Sequence, residues 1–291
     1  MITGAVVAMV TPMKSDGSID FDRVKKLVDF HIEQKIDAIA VCATTGESPT
    51  VTFDEQRAMM KAVVDQVAAR IPVIAGAGAN STHEAIELAR FAKEAGADAT
   101  LSVVPYYNKP TQEGMYQHFK AVAEAVDIPM ILYNVPSRTV CDLTNDTVLR
   151  LAGIPNIIGI KDATGDLNRG TDLLVRAPMD FMIYSGDDST TLPLMMMGAK
   201  GCISVTANLA PNLMHEMCKA ALEGRFEEAR AINARLFGLH KVLFVEPNPI
   251  PVKWAASEMG LIENNLRLPM TPLSEQFRVP LAAALKQAGL I

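Results

Sequence analysis

Along this chain, short uninterrupted apolar runs alternate with longer stretches in which apolar residues return every three or four positions. The runs are Ala5 to Val10, Ala38 to Ala43, Pro72 to Ala77, Ala99 to Val104, Pro129 to Asn134, Ile157 to Asp162, Phe181 to Ser185 and Gly201 to Thr206. Each has the length of a strand buried on both faces, which shows no polar alternation. The segments between them carry helix signals. Thr52-Phe53-Asp54-Glu55 and Ser81-Thr82-His83-Glu84 match a capping box, and Pro211 suits a first helical turn. Strand followed by helix, repeated eight times, predicts parallel strands joined by crossover helices. Such units spread over roughly 220 residues predict a (β/α)8 TIM barrel rather than an open doubly wound sheet, which uses fewer strands.

After Glu223-Gly224 the alternation stops. Phe226 to Leu243, Val252 to Met259 and Glu275 to Ala288 read as helices, separated by the prolines of Pro247-Asn248-Pro249-Ile250-Pro251 and Leu268-Pro269-Met270-Thr271-Pro272. The expected division is a barrel catalytic domain over 1–224 and a C-terminal helical domain over 225–291.

Composition narrows the partners. A net charge of -6 without long runs of one sign offers no electrostatic footprint for nucleic acid or an anionic membrane. No apolar run approaches the roughly 18 residues a membrane span requires, and the start lacks the basic region of a secretory signal. The expected location is the cytoplasm. The four cysteines, at 42, 141, 202 and 218, show no C-x-x-C spacing and read as reduced thiols. The five histidines show neither H-x-H nor H-E-x-x-H spacing, so no metal is expected, and no cofactor. Gly76-Ala77-Gly78-Ala79-Asn80-Ser81 has two dinucleotide-type glycines but lacks the third, and reads as a tight strand-to-helix turn.

In a parallel barrel, reactive groups collect where strands end, because the following loops converge there. The sixth run ends in Gly159-Ile160-Lys161-Asp162. Burying an unpaired lysine costs several kcal/mol or shifts its protonation, and a desolvated amine can attack a carbonyl to form a Schiff base. The plainer reading is a strand-end lysine that reaches solvent or pairs with Asp162. Other strand ends carry Thr44-Thr45-Gly46-Glu47-Ser48, Tyr106-Tyr107-Asn108, Tyr133-Asn134-Val135-Pro136-Ser137-Arg138 and Ser185-Gly186-Asp187-Asp188. Four of the five tyrosines, Tyr106, Tyr107, Tyr133 and Tyr184, fall on these ends, either capping the core or serving the reaction. Tyrosine and threonine hydroxyls can relay protons without carrying charge at rest. Arg138, held by Pro136, offers a planar fork for a carboxylate. Asp187 and Asp188 would repel a phosphate and are better placed to cap the next helix.

Thr44-Thr45-Gly46-Glu47, Tyr133-Asn134-Val135-Pro136-Ser137-Arg138-Thr139 and Gly159-Ile160-Lys161-Asp162 together resemble the pyruvate-dependent class I aldolase family. The similarity runs through Pro247 to Lys253 and the C-terminal helices, so it covers essentially the whole chain. Among its members the chain is most similar to those that condense pyruvate with aspartate 4-semialdehyde, the first committed step of lysine and diaminopimelate synthesis. The resemblance implies that Lys161 forms the Schiff base, that Tyr133 transfers protons, and that Thr44 and Tyr107 complete the relay, Tyr107 from a neighbouring subunit. It also implies that Thr45 and Ile203 contact pyruvate, that Arg138 holds the semialdehyde carboxylate, and that Gly186 lines the pocket. The assembly it implies is a homotetramer, a dimer of tight dimers.

Ser48, Asn80, Glu84 and Tyr106 match the allosteric lysine site of feedback-sensitive members, but Phe53 and Gln56 stand where those members often have polar or imidazole groups. Weak or absent lysine inhibition is therefore expected. Other aldolases of the superfamily, the N-acetylneuraminate lyases and keto-deoxy sugar acid aldolases, share the lysine and tyrosine but cleave long hydroxylated substrates. The Thr44-Thr45 pair and Arg138 favour the condensing enzyme. A non-catalytic binding homologue would have no need of the complete set of lysine, tyrosines, threonines and arginine.

Overall fold

The computed structural model describes residues 1–291. Eight parallel strands close into a barrel in chain order. They are β1 (Gly4–Ala8), β2 (Ala38–Val41), β3 (Val73–Gly76), β4 (Ala99–Val103), β5 (Met130–Asn134), β6 (Ile157–Asp162), β7 (Met182–Ser185) and β8 (Gly201–Ser204). The fold is the TIM barrel that the apolar runs predict, with a helix outside each crossover.

Several runs outlast their strands for local reasons. Cys42 takes φ +57, which ends β2 at Val41. At β8, one carboxylate oxygen of Asp188 accepts the backbone N–H groups of both Val205 (3.1 Å) and Thr206 (2.8 Å), drawing them out of the ladder. Asp188 therefore bridges to β8, and only Asp187 caps the turn that follows β7, accepting from Thr190 N at 3.0 Å.

The period of two along each strand sorts the core into two parts. Val6, Ala8, Ala40, Ile74, Leu101, Ile131 and Ile203 belong to a small cluster filling the barrel, whereas Val7, Ile39, Val41, Leu132 and Ile183 join a larger one between barrel and helices. The tight strand packing accounts for the two glycines of the Gly76-Ala77-Gly78 run. A Cβ on Gly76 would lie 2.1 Å from Cys42 O, and one on Gly78 would lie 2.3 Å from Val103 N.

The helix starts follow the sequence. Thr52 and Glu55 form the reciprocal capping box of helix Phe53–Val67, Pro211 opens Pro211–Leu222, and at Thr82–Ala95 only half of the expected box forms, Ser81 accepting from Glu84 N without a return bond from the Glu84 side chain. Beyond Gly224 come helices Phe226–Val242, Ile250–Glu258 and Glu275–Ala288. The first packs against Pro211–Leu222 and the last against the first, so the extension continues the outer helical layer. No helix is long and apolar enough to cross a membrane.

Candidate active site

Strand β6 directs Lys161 and Asp162 to opposite faces of the sheet. Asp162 turns outward, its carboxylate 3.9 Å from Arg169 and accepting from Thr164 Oγ1 at 3.0 Å. Burial holds the Asp162 carboxyl above its ordinary range, and Arg169 opposes this. The lysine therefore has no partner in its neighbour. Lys161 turns inward, 5% exposed, and its Nζ lies 4.3 Å from the centroid of the Tyr133 ring. That contact follows from the register, since Tyr133 on β5 is the direct partner of Lys161 on β6. A cation over an aromatic face at this distance is attracted to it.

A cavity of about 540 Å³ opens above these two side chains at the C-terminal end of the barrel. Thr44, Thr45, Arg138, Gly186 and Val205 line it with Lys161 and Tyr133. Thr44 and Thr45 sit in a one-turn 3-10 helix after β2, and Arg138 sits in the short helix Pro136–Thr139 after β5. Gly186 contributes space. A Cβ there would stand 2.9 Å from Lys161 Cε and 2.6 Å from Ala163 Cβ, so a larger residue would displace the Lys161 side chain.

Two expected site residues are not brought to this cavity within one chain. Ile203 is 1% exposed in the interior cluster and does not line the cavity. Tyr107 is 88% exposed with φ +75, on the loop that follows β4, and does not reach its own chain's cavity. Tyr184 also departs from the expectation of a tyrosine at the mouth. It is the β7 partner of Lys161, but its hydroxyl donates to Ile2 O at 2.6 Å, toward the opposite end of the barrel.

The extension, to which no role is expected from its helical pattern, supplies Phe244 to Asn248 as one wall of the cavity. Asn248 Nδ2 donates to Thr45 Oγ1 at 2.9 Å, and Asn248 O accepts from Arg138 at 3.1 Å. The only local signal was the proline-rich Pro247-Asn248-Pro249-Ile250-Pro251 run, which indicates a stiff segment but not where it docks.

A second cavity, of about 530 Å³, shares Thr44, Val135 and Arg138 with the first. Ser48, Glu84 and Tyr106 line it, and Asn80 adjoins it through a 3.2 Å bond from Nδ2 to Tyr106 O. Burial and the Glu84 carboxylate raise the Tyr106 phenol above its ordinary value. Phe53 and Gln56 occupy the same wall, and Gln56 Nε2 is committed to Ser48 O and Val51 O. No three His, Cys, Asp or Glu side chains gather where they could hold a metal ion, and the four cysteines are free thiols.

A lone amine against a tyrosine at the C-terminal end of a barrel fits carbonyl chemistry, and comparison with known proteins names the family. The profile of the dihydrodipicolinate synthetase family matches residues 1–288. The chain belongs to that family. The 4-hydroxy-tetrahydrodipicolinate synthase of Nitrosomonas europaea is 65% identical over 290 residues, covering 100% of this chain and 99% of its own. That of Stutzerimonas stutzeri is 60% identical over 291 residues, covering 100% of both. Among solved structures, the chloride-inhibited dihydrodipicolinate synthase from Acinetobacter baumannii, complexed with pyruvate, superposes with a TM-score of 0.99 at 55% identity, over 100% of both chains. The family also includes the enzyme from Cyanidioschyzon merolae with lysine bound, which has a TM-score of 0.97 at 40% identity and covers 100% of this chain and 99% of its own.

Proposed function

We propose that the chain catalyses the reaction of its 4-hydroxy-tetrahydrodipicolinate synthase relatives, condensing pyruvate with L-aspartate 4-semialdehyde in lysine and diaminopimelate biosynthesis. The observation that carries this reading is the inward Lys161 amine, separated from Asp162 by the sheet and set against Tyr133 in a cavity with two threonine hydroxyls and an arginine. Lys161 Nζ adds to the keto carbon of pyruvate, and loss of water leaves an imine. Removal of a proton from the pyruvate methyl gives an enamine, whose carbon attacks the aldehyde. The amine of the semialdehyde can then displace Nζ from the imine carbon, closing the ring and freeing the lysine.

Each step moves a proton, and of the two tyrosines that pair with Lys161 in register, Tyr133 has its ring 4.3 Å from the reacting nitrogen while the Tyr184 hydroxyl is bonded to Ile2 O. In this reading Thr44 extends the relay, Thr45 serves the bound keto acid, Gly186 keeps room for the lysine, and Arg138 takes the semialdehyde carboxylate. Tyr107 completes the relay from another subunit. Its exposure on a projecting loop supports a homotetramer assembled as a dimer of dimers. Cytoplasmic location and the division at residue 224 belong to the same reading. So does a lysine site at Ser48, Asn80, Glu84 and Tyr106 that responds weakly or not at all.

Borohydride reduction in the presence of pyruvate, followed by peptide mass measurement, tests the central step: the adduct should sit on Lys161. Substrate comparison tests the rest. Cleavage of sialic acid without condensation of the semialdehyde would overturn the choice within the superfamily.

A further inference from the structure

The C-terminal extension meets the barrel at a buried ion pair. Lys253, on helix Ile250–Glu258 and 0% exposed, places Nζ 2.5 Å from Glu47 Oε1, and Glu47 is itself 3% exposed. The other carboxylate oxygen accepts the backbone N–H of Arg267 at 3.1 Å, again from the extension. Burial pushes the Lys253 ammonium below its ordinary range, and Glu47 opposes that. Such a pair is weak evidence of stabilisation, because desolvating two charges offsets most of their attraction. Its position suggests another use.

Glu47 directly follows the Thr44–Gly46 turn, at φ +59, a left-handed conformation that a non-glycine residue holds only when its surroundings impose it. The turn is held from several sides. Thr11 Oγ1 donates to Gly46 O at 2.7 Å, Asn248 Nδ2 donates to Thr45 Oγ1, and Lys253 holds the carboxylate of Glu47. Thr44 and Thr45 are the hydroxyls this turn presents to the Lys161 cavity.

We propose that Glu47 and Lys253 are positioning residues for the Schiff-base reaction, their ion pair locking the turn so that Thr44 and Thr45 face the bound keto acid. The extension then serves the active site both through the wall Phe244 to Asn248 and, by way of Glu47, through Lys253 and the Arg267 backbone. This rests on the reading of Lys161 as the Schiff-base lysine, which borohydride labelling of the unsubstituted chain tests separately and first.

Lys253→Met removes the ammonium and keeps most of the side-chain volume. It should raise the KM for pyruvate and lower kcat, together costing about tenfold to about 100-fold in kcat/KM, the scale of a misplaced reacting group. Lys253→Arg, which keeps the charge, should recover much of that loss. Because Lys253→Met alone strands a buried carboxylate, the double variant Glu47→Gln with Lys253→Met removes both charges of the pair together. It should fold and melt near the native temperature yet remain impaired toward pyruvate. A folded double variant with kcat and pyruvate KM within about twofold of native would overturn the proposal, since a pair that only held the fold would change melting and not kinetics. Failure of the double variant to fold would overturn it as well, assigning the pair to the fold.

Discussion

Lys161 Nζ and the ring of Tyr133 lie 4.3 Å apart because β5 and β6 pair in a register that sets the two residues side by side. Neither strand alone places an amine beside a phenol; closure of the barrel in that register does. Lys161→Ala should therefore abolish the borohydride adduct and turnover together. Tyr133→Phe should keep the adduct, formed more slowly, and lose about 100-fold to about 10,000-fold in kcat, the range for a general acid–base group. Steady-state kinetics with trapped-adduct mass measurement distinguishes the two, and an unimpaired Tyr133→Phe enzyme would remove tyrosine from the relay.

Gly186 leaves the space that a side chain would fill. The Cβ of Gly186→Ala would press on Lys161 Cε and Ala163 at 2.9 and 2.6 Å. The expected result is a folded protein that forms the pyruvate adduct at least about tenfold more slowly, on the scale of a misaligned nucleophile. Native-like adduct kinetics in a stopped-flow assay would show that the lysine has room to move aside.

Tyr107 should act from a neighbouring subunit, since the residue is 88% exposed and does not line its own chain's cavity. Lys161→Ala and Tyr107→Phe chains should each be nearly inactive. Mixed by co-expression, they place an intact Lys161 opposite an intact Tyr107 in one site of each mixed dimer. Random pairing then restores about a quarter of native activity in a two-fold symmetric dimer. Absence of any recovery in verified mixed oligomers would confine Tyr107 to another role.

His31 makes stability fall in acid. It is 0% exposed, neither ring nitrogen has a partner, and burial lowers its pKa to about 3. The unfolded chain binds this proton near pH 6.5 and the folded chain does not, so stability drops as pH falls from about 6.5 toward 3, by roughly 1.4 kcal/mol per unit. His118, lowered by burial to about 4, acts in the same direction over a narrower window. His31→Leu should melt higher than native in acid, with the gap closing above about pH 7. Melting temperatures from pH 4 to 8 check this, and parallel curves would falsify it.

Feedback by lysine should be weak. The second cavity presents the Phe53 ring and a Gln56 amide already spent on two backbone carbonyls, leaving Glu84 and Tyr106 among the few groups free to hold an amino acid. Titration with lysine should leave turnover essentially unchanged at micromolar concentration; strong inhibition there would contradict the assignment.

The amino-acid sequence alone determined the barrel and singled out the lysine at its rim. Eight apolar runs and their helix caps carry burial and period, which are local properties, and one lysine at the end of such a run stands out against them. Thr44, Thr45, Arg138 and Gly186 were legible for the same reason, as strand-end residues that any parallel barrel gathers at one rim. The tertiary structure alone decided what depends on distant segments meeting. Asp162 turns out to Arg169, Tyr184 points down to Ile2, and Asn248 and Lys253 return from the extension to hold the Thr44–Gly46 turn. Composition and periodicity say which side chains are buried. Which of them touch is set by strand register, barrel closure and the docking of a proline-stiffened segment, none of which leaves a trace in neighbouring residues.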